Sequence, residues 1–461
     1  MSIRDLPVEL LLAIARYTPK ESLHSLALLS KFMHSAANSV LYNTIVLVDP
    51  ESAVKCTETL SHSDELARFV RSFKLSDMGL HIISYQDTAD LMEYMPKSIE
   101  RMVHLQRFAI ESYGFSTPDV FAALSIHVTP TLKALTFLVE HDILDDSISK
   151  LENLRPDFKV LTELDIRVRD DQEYPALYVA WMKHIFSSRA GRLRVLNLDC
   201  GSGHRIREFL STTQGLPCVE ELAISISCLD LPCLACTPRV TKLTIGGLKP
   251  RIPLPAIPGA GFPAVTHTLC FCDVLSSILT AAPNRPKPVT TVCLGLFHVK
   301  GIVVPAQYVQ RLQGPRWEDT LQAIKSLPNS SGPVTDLSFY VHQIDFRDLP
   351  DVRYLHNLGK TFFARLPKLQ TFVLSGGSWS IPYDESFLFF VCGCQGGILE
   401  LLRQWGMHST TLRYVAFTST FVFMKSGGAW VKIYNGVGHE DEEGRMIMRI
   451  RAMDGMLYGS G

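Results

Sequence analysis

The stretch Leu161-Thr-Glu-Leu-Asp-Ile166 is one copy of a pattern that recurs along most of this 461-residue chain. Each copy has an aliphatic residue, an apolar residue three positions later and another apolar residue two positions after that. The copies begin at Val70, Leu105, Leu132, Leu161, Leu193, Val219, Val240, Val265, Val289, Val334, Leu369 and Leu412. Because side chains alternate across a strand, the second and third apolar residues lie on the same face. Each copy therefore predicts a short strand with one buried face.

Helical segments separate several of these copies, whose starting positions from Leu105 onward are 21 to 45 residues apart. We predict helices over residues 87–95, 118–126, 174–187 and 204–212. A strand and a helix repeated at such a period predict a solenoid, in which each repeat packs on its neighbours. Residues 66–425 resemble the leucine-rich-repeat family, which implies an α/β fold with parallel strands and with helices on the convex side. An ordinary α/β core, whose buried strands are also aliphatic, is the alternative.

The composition is that of a chain with a large apolar core and almost no net charge. Hydrophobic residues make up 46% of the sequence, charged residues make up 20%, and the formal net charge is −1. This balance argues against a disordered chain and against binding to nucleic acid or to an anionic membrane. Asp5 and Glu9 are untypical of a signal peptide, and no apolar run reaches the roughly 18 residues of a membrane span. With 11 cysteines spread over a long chain, we expect a reduced protein in the cytoplasm or the nucleus.

Residues 5–45 do not follow the repeat and predict three short helices. Pro7 is favourably placed for the first turn of the first helix, where its missing N–H costs nothing. Thr18 and Glu21 have the spacing of a capping box, which predicts the start of the second helix. Ser30 is a suitable cap for the third. Three helices in about 40 residues cannot bury all of their apolar surface alone, so this module packs on the rest of the chain or on another chain.

Three motifs in this module resemble the F-box: Leu6-Pro-Val-Glu-Leu10, the leucine-rich stretch from Ser22 to Lys31, and Leu41-Tyr42, which is similar to the end of fungal-type members. Met33 stands where the family usually has an aromatic residue, and Phe32 lies beside it. The resemblance implies docking onto the adaptor subunit of a cullin-RING (SCF-type) ubiquitin ligase. By the same resemblance, the adaptor-binding residues are Leu6, Pro7, Leu10, Ile14, Leu26 and Leu29.

Together, the two resemblances imply a substrate-recognition subunit of such a ligase, which does no chemistry itself and holds the substrate close to the transfer machinery. The alternative is an F-box-like scaffold or protein-interaction module that acts outside a ubiquitin ligase. Candidate contacts to the unknown substrate protein are polar residues that the repeat places on the solvated side of its strands, namely Arg167, Arg169, Asn197, Glu221 and Lys242.

We expect three parts along the chain: the F-box helical module over residues 1–46, the solenoid over 47–425, and a capping hairpin with a tail over 426–461. The hairpin is predicted from β-like segments at 430–434 and 446–450, and it would cover the last apolar face of the solenoid. The proline-rich stretch 249–263 and the insertion 299–333 interrupt the repeat, either as part of a binding face or as surface loops.

The sequence has no pattern that predicts catalysis, a cofactor or a metal. Cys233 and Cys236 have the spacing of zinc ligands, but a second pair with that spacing is missing. Cys270 and Cys272 fall within a repeat copy, so we interpret them as thiols of the protein core and expect no zinc site. We find no phosphate-binding loop, no nucleophile motif and no paired carboxylates. We therefore expect a non-catalytic protein without cofactor or metal.

Overall fold

The chain divides into two compact units, residues 1–200 with 204–216 and residues 201–203 with 217–461. The computed structural model describes residues 6–76, 85–111, 117–139, 157–168, 182–186, 190–199, 204–211, 213, 215–246, 257, 262–270, 272–280, 287–294, 323, 325–327, 332–341, 359–360, 363–376, 397–417 and 421–433.

The first unit begins with three helices, α1 (Val8–Tyr17), α2 (Lys20–Ala27) and α3 (Lys31–Leu41). Ser30 caps α3 as expected, since its Oγ accepts a hydrogen bond from the Met33 amide at 3.2 Å. The predicted capping box is wrong. Pro19 precedes α2 without a side-chain cap, and the Thr18 hydroxyl donates to the carbonyl oxygen of Ile14 at 2.7 Å instead. This hydroxyl therefore satisfies a carbonyl near the end of α1.

Strands and helices alternate through the rest of the first unit. The strands are β1 (Thr44–Leu47), β2 (Ser72–Leu75), β3 (Arg107–Ile110), β4 (Ala134–Val139), β5 (Glu163–Val168) and β6 (Val195–Asp199). The helices are α4 (Pro50–His62), α5 (Asp64–Ala67), α6 (Tyr85–Arg101), α7 (Pro118–Ala123) and, after β6, α8 (His204–Ser211). The helix predicted over 174–187 falls partly outside the described residues, and its described part, 182–186, is helical.

The six strands of the first unit are parallel and pair in chain order. Their register aligns the second apolar residue of successive copies in one row, which contains Phe73, Phe108, Leu135, Leu164 and Leu196. All five side chains are buried. We call this side of the strands the core face and the side formed by the alternating residues the opposite face. The core face is continuous because each copy supplies one apolar residue to each row.

The second unit continues the same alternation. Its parallel strands are β7 (Glu221–Ser225), β8 (Lys242–Gly246), β9 (His267–Cys270), β10 (Thr291–Leu294), β11 (Asp336–Val341), β12 (Thr371–Gly376) and β13 (Tyr414–Phe417), again paired in chain order. Its helices include α9 (Cys272–Thr280) and α10 (Gly397–His408). Every repeat copy thus has its strand, from β2 to β13, and the predicted mixed α/β, solenoid-like arrangement is confirmed within each unit.

An antiparallel hairpin, β14 (Phe421–Ser426) and β15 (Ala429–Ile433), follows β13. Gly427 and Gly428 form its two-residue turn. Their φ values are 57° and 88°, which residues other than glycine rarely adopt. The predicted pairing of residues 430–434 with 446–450 is thereby corrected in part, because Trp430 pairs with Lys425 of β14. Residues 446–450 lie outside the described residues.

Candidate functional site

The three N-terminal helices enclose a small apolar core of their own. Its buried members are Leu11, Ala15, Leu23, Ala27, Met33, Ala36 and Ala37. Leu11 and Ala15 are one turn apart on α1, and they point inward together because residues four apart share a helix face. Most of these core residues are small, so the helices approach closely and the larger apolar residues of the module are left on other faces.

Several large apolar side chains of the same module are exposed to solvent, and they do not all lie on one helix face. They are Val8, Leu10, Ile14, Tyr17, Leu28, Leu29 and Phe32, and we call this set the apolar face. Tyr17 is 91% exposed and Phe32 is 61% exposed. Single exposed apolar residues are ordinary, but seven within 25 residues of the chain have no role in the fold of the module. Such a surface is typical of a protein–protein interface.

Part of the apolar face borders a groove of about 460 Å³. Leu6, Leu10, Ala13, Ile14, Tyr17 and Thr18 line it. Leu10, Ile14 and Tyr17 follow one another at spacings of four and three along α1, which places them on one side of the helix. The groove is therefore an apolar strip along α1 that could take an apolar side chain of a partner.

The predicted adaptor-binding residues occupy two different environments. Pro7, Leu10, Ile14 and Leu29 are exposed, whereas Leu6 and Leu26 are partly buried against the core of the module. Val8, Tyr17, Leu28 and Phe32 belong to the apolar face but were not predicted. For Tyr17, the sequence does contain a signal: it lies three residues after Ile14, and this helical spacing places both on the same side of α1.

Met33 is buried and its larger neighbour Phe32 is exposed, which is the reverse of what their sizes suggest. Met33 is 1% exposed and fills the core of the module, while the larger Phe32 points to solvent. Phe32 therefore does not replace the missing aromatic residue within the core, and it enlarges the apolar face instead.

Four of the five predicted substrate contacts lie on the opposite face of described strands, and three of them, Arg167, Glu221 and Lys242, form ion pairs. Arg167 donates two hydrogen bonds to Asp165, at 3.1 and 2.7 Å. Lys242 Nζ on β8 lies 2.6 Å from a carboxylate oxygen of Glu221 on the adjacent strand, β7. Asn197 is half-buried on β6, and Arg169 lies outside the described residues. The ion pair of Glu221 and Lys242 is exposed and contributes about 1 kcal/mol or less to stability.

Burial has an electrostatic effect on Asp165. Desolvation raises the pKa of this carboxyl group above its ordinary value, the adjacent Arg167 guanidinium opposes the rise, and the negative charge of Glu111 adds to it. Burial outweighs the ion pair, so the ionised form of Asp165 is incompletely stabilised by its own surroundings.

The opposite face of four strands in the second unit, β9, β10, β12 and β13, differs from that of the first unit. Leu269, Cys293, Val373, Tyr414 and Ala416 alternate with core-face residues on β9, β10, β12 and β13, yet all five are buried, and they form a cluster with Val422 and Ile433. These strands therefore have both faces buried. Their opposite face is not available to a partner in this state.

Among the described residues, no group of three or more histidine, cysteine, aspartate and glutamate side chains could hold a metal ion. Cys233 is buried and Cys236 is exposed, and both are free thiols. No helix within the described ranges is long and apolar enough to cross a bilayer.

We expect iodoacetamide at pH 8 to alkylate Cys236 and to spare Cys233 and Cys293. Burial raises the pKa of Cys233 to about 11 and that of Cys293 to about 12, so only about 0.1% or less of either thiol is ionised at that pH. Peptide mass mapping measures the modification, and the same reaction in 6 M urea serves as the control that exposes all thiols. Protection of Cys236 together with Cys233 would contradict the expectation and would favour a metal site.

Comparisons with known proteins assign no family. No protein-family profile and no curated protein sequence matches the chain. A solved structure described as the crystal structure of the Rad7 and Elc1 complex in yeast is similar over 91% of this chain and 94% of that chain, with 14% identity and a TM-score of 0.38. A likeness at this level does not identify a family or a function.

Proposed function

We propose that this protein is the substrate-recognition subunit of an SCF-type cullin-RING ubiquitin ligase. The observation that carries the proposal is the apolar face of the N-terminal module, whose seven large side chains are exposed although the module has a separate core. Burial of such side chains in a partner is the main favourable term in protein association. The F-box resemblance of the same residues suggests that this partner is the adaptor subunit of the ligase.

In this proposal the two parts of the chain have different tasks. Residues 1–46 dock onto the adaptor, and the repeat region, residues 47–425, holds the substrate protein. In this role the chain does no chemistry itself, and it accelerates transfer by keeping the substrate near the ligase. We place it in the cytoplasm or the nucleus, where such ligases act.

The alternative function is that of a scaffold or interaction module outside a ligase. One observation favours it: Met33 occupies the position where the F-box family usually has an aromatic residue, and Phe32 does not take its place in the core. The apolar face would then bind some other protein.

Assembly with purified ligase components separates the two functions. We expect the full chain and the SCF adaptor to co-elute in size-exclusion chromatography, with a dissociation constant below about 1 μM. We further expect the complex to recruit the cullin and RING subunits. Failure of the adaptor to bind at about 10 μM would overturn the proposal, and adaptor binding without recruitment of the cullin would support the scaffold.

A further inference from the structure

The turns that lead into the strands of the first unit carry an excess of positive charge. They precede β2 to β6 in order and comprise residues 68–71, 103–106, 130–133, 157–162 and 191–194. Their arginine and lysine residues are Arg68, Arg71, Lys133, Lys159, Arg192 and Arg194. Asp157 carries the one carboxylate of the five turns. Because the whole chain has a net charge of −1, this excess is a local property of the edge at which the strands begin.

The positive charge is densest in the three turns before β4, β5 and β6, which are neighbours in the sheet. The amide of Thr162 donates to the carbonyl oxygen of Lys133 at 2.9 Å, and the amide of Arg194 donates to that of Thr162 at 2.7 Å. Nη1 of Arg192 donates to the carbonyl oxygen of Lys159 at 3.3 Å. Adjacent strands are about 4.8 Å apart, so the three turns span about 10 Å. We call Lys133, Lys159, Arg192 and Arg194 the basic edge.

The basic edge is accessible and is not neutralised by its surroundings. All four of its side chains are exposed. Within the part of the chain that the structure describes, Lys133, Lys159 and Arg192 form no ion pair. Glu163 of β5 lies close by, but it pairs with Arg107 of β3 at 2.7 Å. Even with Asp157 included, the cations of these three turns outnumber their carboxylates by four to one.

We propose that the basic edge binds an acidic segment, rich in aspartate and glutamate, of the protein that the repeat region receives. Like charges that lie close together repel one another, and the carboxylates of a partner relieve this repulsion. Two of the four residues are arginines, and a guanidinium group can bind a carboxylate through two parallel hydrogen bonds. The inference rests on the proposed receptor function and adds to it the chemical class of the substrate segment.

The same turns are less suited to nucleic acid. Proteins that bind single strands stack the bases on aromatic side chains. Of the phenylalanine residues in the five turns, Phe158 is buried and Phe69 is half-buried. Interfaces specific for a duplex bury about 1,000 Å² or more of protein surface, whereas the basic edge extends over three turns. An acidic peptide is therefore the partner that fits its size and charge.

Peptide binding to the full chain tests the proposal. The probes are fluorescent peptides of about eight residues, which in extended form are longer than the basic edge. In them serine alternates with glutamate, glutamine or lysine. In fluorescence anisotropy at about 50 mM salt, we expect the glutamate peptide to bind about tenfold more tightly than the glutamine peptide and the lysine peptide to bind most weakly. Equal binding of the glutamate and glutamine peptides would overturn the proposal, and so would tighter binding of a thymidine oligonucleotide of the same length.

Charge reversal at matched positions locates the effect. Arg192→Glu should weaken binding of the glutamate peptide about tenfold. Arg239→Glu is the control, because Arg239 is exposed at the same repeat position in the turn before β8 of the second unit, and it should change binding less than about twofold. If Arg192→Glu lowers the thermal midpoint, Lys133→Glu replaces it with the same expectation. An equal loss in Arg239→Glu would contradict the proposal, since the total charge of the chain would then determine the affinity.

Adaptor binding by Arg192→Glu distinguishes this proposal from the proposed function. We expect it to equal that of the unmodified chain. A chain that prefers acidic peptides but never binds the adaptor would support the basic edge and contradict the ligase role.

Discussion

Leu10→Asp is expected to abolish binding of the SCF adaptor while the fold of the N-terminal module is retained. Leu10 is 50% exposed and lines the groove on α1, so the new carboxylate is hydrated in the free protein. In the complex it would be desolvated without a partner, which costs several kcal/mol. We expect a loss of at least about 100-fold in affinity, measured by isothermal titration calorimetry. Ile14→Asp, one turn along the same groove, should have a similar effect.

Two further variants show whether that loss comes from the apolar face. Ser22→Asp introduces the same charge at an exposed position of α2 that does not line the groove, and it should change affinity less than about threefold. Leu11→Asp places the carboxylate in the core of the module, where Leu11 is 2% exposed, and it should unfold the helices. Equal affinities of Leu10→Asp and the unmodified chain would rule out α1 as the adaptor contact.

The strands could be predicted from the sequence because their determinant is local and repeated. Each copy carries its apolar residues at fixed positions. Each strand is buried by contacts with the adjacent repeats alone, so no distant part of the sequence has to be considered. β1 was missed although Tyr42, Ile45 and Leu47 have the spacing of the repeat. The first residue of this copy, Tyr42, is aromatic and follows α3 directly, so the sequence alone favours an end of the helical module here. The parallel arrangement of β1 with β2 shows that the repeat begins one copy earlier.

The candidate site was less predictable, because consecutive apolar residues on α1 to α3 do not reveal which of them point inward. Leu10 and Leu11 are chemically identical, yet one is exposed and the other is in the core. Likewise, Met33 is buried while the larger Phe32 is exposed, which is not expected from their sizes. The packing angle of the three helices decides these cases, and that angle depends on contacts between residues distant in sequence.

Arg167, Glu221 and Lys242 lie on the opposite face of their strands, as the repeat pattern predicts, but the pattern does not predict their ion-pair partners. Glu221 and Lys242 are 21 residues apart and become neighbours only through the register of β7 and β8. The burial of Cys293 and Tyr414 on the opposite face of the second unit has no signal in the repeat pattern, which describes the core face alone.

Phe108→Ala is expected to cause a large loss of stability in the first unit. Phe108 is 1% exposed on β3, stacks on Phe73 of β2 at a centroid distance of 5.8 Å, and meets Phe137 of β4 edge-on at 5.9 Å. Removing the ring leaves a cavity between three successive repeats, at a cost of about 3–5 kcal/mol. Urea unfolding followed by circular dichroism measures this change.

The effect of Phe108→Ala should extend to the neighbouring strands, because each repeat is stabilised mainly by the repeats on either side. Hydrogen exchange should therefore accelerate in β2 and β4 as well as in β3, and less in β8 of the second unit. Val103→Ala is the matched control, since Val103 is exposed in the turn before β3 and its loss should cost less than about 0.5 kcal/mol. If the two variants unfolded at the same urea concentration, the aromatic row would not be the element that joins these repeats.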